Sequence, residues 1–361
     1  MSAVAKLTAI SGLGAKGPAC FLVEADGARL LLDLGYGPQP GLWPDVSDVG
    51  RVDAVLLSHG HRDHAGALSL LPRVGDPPVY ATDIVRRTLP EGLTSFTLPL
   101  NGARDVCGIT VETGRNGHAP GGIWLNIAVG EGLLYTGDIS VESAVYAYDP
   151  PGPAGTLLMD ASYGTYDTAL GATLADFQRL FDAGPVLLPV PPAGRAPDIA
   201  LHLVRSGRGL PHIDDAVRSA LTDLAGSSRD CLRPEATAEI AAIAKEAPRL
   251  DGPRGVMLAA VADASTGEAA RAVGRWQSEA MPAIVFTGYV PPDTPADRLT
   301  RSGRARYVRW NVHPRLRDCI DLVRRSGART VLPAFGDARH VDAWRAAFAP
   351  AVVEVGGRVT L

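Results

Sequence analysis

Cysteine is scarce. The 361-residue chain has four, Cys20, Cys107, Cys231 and Cys319, spread far apart and with no CxxC pair. That spacing argues against a thiolate zinc site or a disulfide framework, and it fits a reducing, cytoplasmic compartment. Long apolar runs are missing as well. The opening "MSAVAKLTAISGLGAKGPAC" has no sustained hydrophobic stretch, so neither a signal peptide nor a membrane helix is expected. Nor is there an excess of positive charge: 35 Lys and Arg face 39 Asp and Glu, a net charge of −4. A nucleic-acid partner would therefore have to be met by a local patch, because the whole molecule does not attract one. No internal repeat or low-complexity linker interrupts the chain.

What remains describes a globular protein. Hydrophobic residues make up 46% and charged residues 20%, which is not the balance of a disordered chain. The length suits two domains, or one large domain carrying an insertion. Through about residue 160 the sequence reads as short apolar strands between Gly-rich turns, such as "ACFLVEADGARLLLDLG", a hairpin turning at Asp26-Gly27. Helical periodicity is expected in "AGALSLLPRV", "TLADFQRLFDA", "APDIALHLVRSG" and "ATAEIAAIAKEA". From about residue 165 strands alternate with helices, the signature of βαβ units and a parallel sheet.

Histidine is scarce too, with eight in the chain, yet "LLSHGHRDHAGAL" spends three of them within six positions after an apolar run. His59 and His61, two apart in an extended segment, project to one side and can share one metal ion. Asp63 and His64 follow as the chain turns into a helix, offering a carboxylate and an imidazole to a second ion.

This stretch resembles the signature of the metallo-β-lactamase fold, and the rest of that fold's pattern follows in order. Asp33 lies in "LLLDLG", His118 in "NGHAPGG" and Asp138 in "LLYTGD". The resemblance narrows to the β-CASP nucleases, the branch that contains ribonuclease J and the cleavage subunit of messenger-RNA 3′-end processing. "LLMDASYG", "VLLPVPPAGRAPDIALHL", "IVFTGYVPPDTPADRL" and "VRWNVHPRLRD" resemble that branch's later motifs. The resemblance implies an α/β protein. A four-layer αββα metallo-β-lactamase domain is built from residues 1–163 and 306–361, with an inserted α/β β-CASP domain at 164–305. The sequence ends soon after this fold, so neither the C-terminal domain of ribonuclease J nor the KH modules of archaeal relatives are expected.

The implied activity is hydrolysis of a phosphodiester in RNA or single-stranded DNA by a metal-activated hydroxide. By resemblance, His59, His61 and His118 hold one ion, Asp63 and His64 a second, and Asp138 bridges them. Mixed nitrogen and oxygen ligation favours Zn2+, with Mn2+ as an alternative. Asp33 is expected to orient the histidine loop without touching metal. His313 is the expected proton donor to the leaving oxygen, held by Asp160; Asp63, His313 and Asp160 form the catalytic group. Ten arginines and two acids, Asp318 and Asp321, lie between Arg298 and Arg329. Arg315 and Arg317, with Arg324 and Arg325 nearby, are candidate phosphate contacts, and Arg195 is a further one by resemblance.

One position departs from the pattern. Where RNA-cleaving relatives place a histidine that completes the second metal site, and DNA-acting members usually a valine, this chain has Phe335. One tightly held ion and a second that is weak or absent are therefore expected. His340 could substitute only if its loop folded back; it is expected in the last helix instead. Two other function classes stay open: a small-molecule hydrolase of the same superfamily, and a non-catalytic nucleic-acid-binding subunit.

Overall fold

The computed structural model describes residues 5–361. The chain divides into two compact units. The first comprises the chain through Val141, Tyr148–Asp167 and His313–Leu361; the second comprises Glu142–Ala147 and Thr168–Val312. The expected boundary at residue 306 would have cut a strand. Ala305–Tyr307 pairs in parallel with Ala283–Phe286 and so stays with the second unit. Glu142 belongs there too, because its carboxylate accepts from the Leu170 amide at 2.9 Å and the Asn311 side chain at 2.7 Å.

The first unit is built on two seven-stranded sheets. One runs Arg358–Thr360, Lys6–Ser11, Cys20–Ala25, Ala28–Leu32, Ala54–Leu56, Val79–Ala81 and Ser95–Thr97. It is antiparallel as far as Ala28–Leu32 and parallel from there on. The Asp26-Gly27 hairpin forms as expected, with both residues at positive φ (49° and 83°), the backbone a tight two-residue turn needs. The other sheet runs Val352–Val353, Thr330–Ala334, Thr156–Asp160, Leu133–Tyr135, Ile123–Ile127, Ile109–Arg115 and Gly102–Val106.

Alternation along these strands gives each sheet two apolar faces, so the unit needs three apolar layers. Between the sheets, Leu30, Leu32 and Leu56 meet Leu125, Tyr135 and Leu332 in one buried cluster. The outer face of the first sheet packs Leu31, Val55 and Leu57 against Leu68, Leu71 and Val85. The outer face of the second packs Leu157, Met159 and Val331 against Cys319, Leu322 and Trp344 of the last two helices, Leu316–Ser326 and Val341–Phe348. Helix, sheet, sheet, helix is the αββα order.

"AGALSLLPRV" is not one helix. A four-residue turn of α-helix, Arg62–Ala65, is followed by a 3-10 segment, Leu68–Val74. Pro72 lies inside that segment and has no amide to donate to an α-helical bond.

The second unit carries an all-parallel five-stranded sheet in the order His212–Ile213, Val256–Ala259, Val186–Pro189, Ala283–Phe286, Ala305–Tyr307. Its strands are continuous apolar runs because helices cover both faces, which is why alternation was faint in the sequence. Among the described residues no helix is long and apolar enough to cross a membrane.

Candidate metal centre

Most residues of the candidate centre sit at a strand end or on the loop that follows one, Asp63 and His64 in the helical turn Arg62–Ala65, and all belong to the first unit. Strand Ala28–Leu32 ends in Asp33, Ala54–Leu56 leads to His59 and His61, Leu133–Tyr135 leads to Asp138, and Thr156–Asp160 ends in Asp160. Parallel neighbours deliver their C-terminal ends to one edge of a sheet, so residues far apart in sequence converge there. Gly35 makes one approach possible: a Cβ at that position would lie 1.7 Å from the Asp63 carbonyl oxygen.

Asp138 is the hub. Ligand atoms of His59, His61, His118 and Asp138 lie within 4.8 Å of one another, as do those of Asp63, His64 and Asp138, and those of Asp138, Asp160 and His313. His118 Nε2 is 3.1 Å from His61 Nδ1 and 3.5 Å from Asp138 Oδ2. His59 Nε2 is 3.9 Å from Asp138 Oδ2 and, although buried, has no hydrogen-bond partner. A buried imidazole nitrogen costs free energy unless something binds it. Three imidazoles and a carboxylate facing one point make a ligand set for a divalent ion, so the residues present fit a metal here. Burial first, then the neighbouring His64 and His61, pushes His59 well below the usual imidazole range, and burial lowers His61 as well. Both rings are thus neutral and able to ligate.

Asp33 belongs to none of these clusters and holds the loop behind them. One of its oxygens accepts from the Ser58 amide at 2.7 Å; the other faces the Ser58 hydroxyl and His64 Nδ1, each at 2.7 Å, and also accepts from the Tyr135 hydroxyl. Burial and Asp33 together keep the Tyr135 phenol well above its ordinary value, so it stays a donor. Ser58 Oγ in turn lies 3.1 Å from His59 Nδ1, a contact that helps orient the ring whose Nε2 faces Asp138.

His313 Nδ1 lies 2.7 Å from Asp160 Oδ2 and 3.7 Å from Asp138 Oδ2. Asp160 is fixed by the Ile139 and Ser162 amides at 3.2 and 2.9 Å. Tyr163, which lies in the quoted "LLMDASYG", stacks edge-on against the His313 ring at 5.2 Å.

Lys16 was not among the expected residues. Its Nζ is 3.5 Å from Asp63 Oδ2, and its side chain is 15% exposed. Burial alone would lower the ammonium, but Asp138, Asp63 and Asp160 hold it raised. Burial would raise Asp138, and Lys16, His64 and His313 hold that carboxyl well below its ordinary value. The signal for Lys16 was in the composition: only Lys6, Lys16 and Lys245 are lysines among 35 basic residues, and Lys16 stands in the Gly-rich "GLGAKGP".

Phe335 is where the sequence placed it, at the end of Thr330–Ala334. It is 2% exposed, with its ring edge-on to His64 at 5.0 Å. His340 does not close the centre. It ends a 3-10 turn, Ala338–His340, just before the last helix, and its ring packs over Gly164 and against Trp344.

Two of the expected arginines are paired with carboxylates. Arg315 forms a two-pronged pair with Asp318 at 2.8 Å on both prongs, and Arg317 does the same with Asp167 at 2.9–3.1 Å. Carboxylates match the guanidinium fork, so both side chains are already spent on anchoring the start of their helix. In the second unit, the Nη1 of buried Arg195 donates to the Thr287 hydroxyl at 3.1 Å, over Gly288, so "GR" and "TGY" meet.

The metallo-beta-lactamase superfamily, as a family, matches residues 13–176. The chain is 31% identical over 227 residues to a ribonuclease of Thermus thermophilus, covering 53% of this chain and 52% of that one. It is 26% identical over 260 residues to transcription termination factor FttA of Cenarchaeum symbiosum, covering 56% of this chain and 39% of the relative. Residues 13–176 carry a metallo-β-lactamase domain. The chain spans about half or less of the length of those curated relatives. Its fold is similar to the crystal structure of a protein of unknown function from Enterococcus faecalis, with a TM-score of 0.60 and 14% identity over 99% of this chain and 100% of that one.

Proposed function

We propose that this chain is a metal-dependent phosphodiesterase that cleaves RNA or single-stranded DNA. The observation that carries the proposal is that one carboxylate, Asp138, faces both the three-imidazole cluster and the His313–Asp160 pair. A divalent ion held by His59, His61, His118 and Asp138 supplies Lewis acidity and a water of lowered pKa. Zinc suits this nitrogen-rich set, and manganese is the alternative.

His313 supplies the proton that the leaving oxygen needs. Its Nδ1 faces Asp160, so the imidazole is oriented with Nε2 directed away, and the carboxylate stabilises the ring when it is charged. Asp33 positions the histidine loop through Ser58 and His64. The second unit is the β-CASP domain in this reading, with Arg195 as its candidate phosphate contact. Arg315 and Arg317 would have to surrender their carboxylates to reach a phosphate.

Relatives named as a ribonuclease and as a termination factor support a nucleic-acid substrate. The test is direct. Metal-loaded protein is incubated with end-labelled RNA and with end-labelled single-stranded DNA of the same sequence. A ladder or discrete fragments from either is the expected result, and the pattern separates stepwise from internal cleavage. Both substrates left intact at metal saturation, with turnover of a small ester or lactone instead, would overturn the proposal.

A further inference from the structure

We propose that Lys16 stands where a second metal ion would, so that the centre holds one ion, at His59, His61, His118 and Asp138. This rests on reading that cluster as metal-binding, and it concerns the other half of the same centre. Asp63, His64 and Asp138 converge as a ligand set would, with ligand atoms within 4.8 Å of one another. Two features of the chain border the place that such a set would enclose.

The first is charge. Asp63 is not part of the three-imidazole cluster, and its carboxylate needs a cation of its own. Lys16 Nζ provides one at 3.5 Å, from a side chain that is only 15% exposed. An ammonium brings its three donors to carboxylate oxygens and needs no ligand from the protein beyond them. The second feature is shape. Phe335 lies beside both His64 and Lys16: its ring meets His64 edge-on, and Lys16 Nζ lies 5.9 Å from the ring centroid. A phenyl face tolerates an ammonium through its quadrupole and offers nothing to a divalent ion that must exchange water for ligands. His64 Nδ1 is held 2.7 Å from Asp33 Oδ2, while its Nε2 lies 3.2 Å from Asp138 Oδ1, this last pair of atoms buried and, among the described residues, without a hydrogen bond.

The two features are delivered together. Phe335 N donates to the Gly12 carbonyl at 2.7 Å and Ala338 N to the Gly14 carbonyl at 2.8 Å, while Leu13 bridges to Ala334. At the other end of the same loop, Ala19 N donates to the Asp63 carbonyl at 2.8 Å. The Lys16 loop is therefore pinned between the segment that carries Asp63 and the strand end that carries Phe335. Gly12 admits the aromatic ring, since a Cβ there would meet Phe335 at 3.2 Å and Phe21 at 2.7 Å. Phe335 itself sits at a φ of 62°, a backbone conformation that bulky side chains rarely adopt.

The experiment counts metal and requires no nucleic acid. Metal-free wild type, Lys16→Ala, Lys16→Arg and the double variant Lys16→Ala/Phe335→His are titrated with Co2+, following its visible absorption, and Zn2+ content is measured after gel filtration. Wild type and Lys16→Arg are expected to saturate at one ion per chain. Lys16→Ala should show a second, weaker equivalent, and the double variant should retain close to two. Should the double variant fail to fold, Lys16→Ala decides alone. Two ions retained by wild type, or saturation of Lys16→Ala at one, would overturn the role of Lys16. Wild type that takes up no ion would overturn the metal centre itself. One ion with no cleavage of RNA or DNA would overturn the proposed activity and leave Lys16 in place.

Discussion

Two aspartates, one in each unit, are buried to nearly the same degree and behave in opposite ways. Asp138 is 2% exposed and Asp198 is 5% exposed. Around Asp138 stand Lys16, His64 and His313, and together they hold the carboxyl well below its ordinary value although burial pushes it up. Asp198 has no such ring of cations close by. Its oxygens accept from the Ser143 hydroxyl at 2.9–3.0 Å and from the amides of Ala144 and Val145 at 3.0 and 3.3 Å. Burial wins there: those hydrogen bonds and the more distant Arg233 only moderate it, and the carboxyl is pushed up to about 6. Hydrogen bonds to neutral donors can anchor a loop without making its acceptor a strong acid, whereas convergent positive groups do both. A buried carboxylate kept ionised and faced by neutral imidazoles is a place for a cation. A buried carboxyl satisfied by a hydroxyl and two amides is a place for a turn.

The largest test of that contrast removes an imidazole facing Asp138. His59→Ala or His118→Ala should lose metal on gel filtration and bring cleavage to background. Retention of a full equivalent of zinc in either variant would mean that the ion is held elsewhere.

His313→Ala separates proton transfer from metal holding. It should keep its ion and lose at least ~10²-fold in turnover, the ordinary scale for a general acid. Asp160→Asn, which keeps the shape and removes the charge facing the imidazole, should fall between that variant and wild type. If His313→Ala had wild-type rates, His313 would be a loop residue beside the centre.

Asp198 sharpens the other side of the comparison. A carboxyl near 6 in the folded protein and near 3.8 when unfolded binds more protons folded than unfolded between those values. The stability it confers is therefore complete below about 3.8 and is lost as pH rises through about 6. Asp198→Asn does not titrate. Wild type should accordingly lose stability relative to this variant between pH 4.5 and pH 7, by roughly 2 kcal/mol, in denaturant melts at both values. A difference of the opposite sign would place an unseen cation beside Asp198.

The smallest effect concerns salt. With Arg315 and Arg317 committed to carboxylates, the affinity for single strands should fall shallowly, by about 0.7 log units per phosphate contact for each tenfold rise in salt. A steep slope, shared by Arg195→Ala, would show that the paired arginines open to the substrate.

The first candidate metal ligands were legible in the sequence because their signal is local. His59, His61, Asp63 and His64 lie within six positions, and a scarce residue concentrated after an apolar strand needs little more than spacing to be read. His118, Asp138, Asp160 and His313 were legible through resemblance, since each follows a strand in a fixed order. The breadth of the fold was legible in the same way, from strands that alternate or run apolar. The limits of the units were not, because whether Ala305–Tyr307 joins one sheet or another depends on which edge is open to it. Nor were the pairings of Arg315 with Asp318 and of Arg317 with Asp167, which occupy two arginines of the basic stretch. Ser58 and Tyr135 lie within quoted motifs, but their role appears only because Asp33 comes to rest between them. Lys16 and Phe335 lie more than three hundred residues apart, and nothing in their local context links them. Sequence by itself determined which groups could bind an ion, since ligand chemistry is a property of residue type and short spacing. Tertiary structure decided how many ions there is room for, because charge and volume at a point are set by every segment that reaches it.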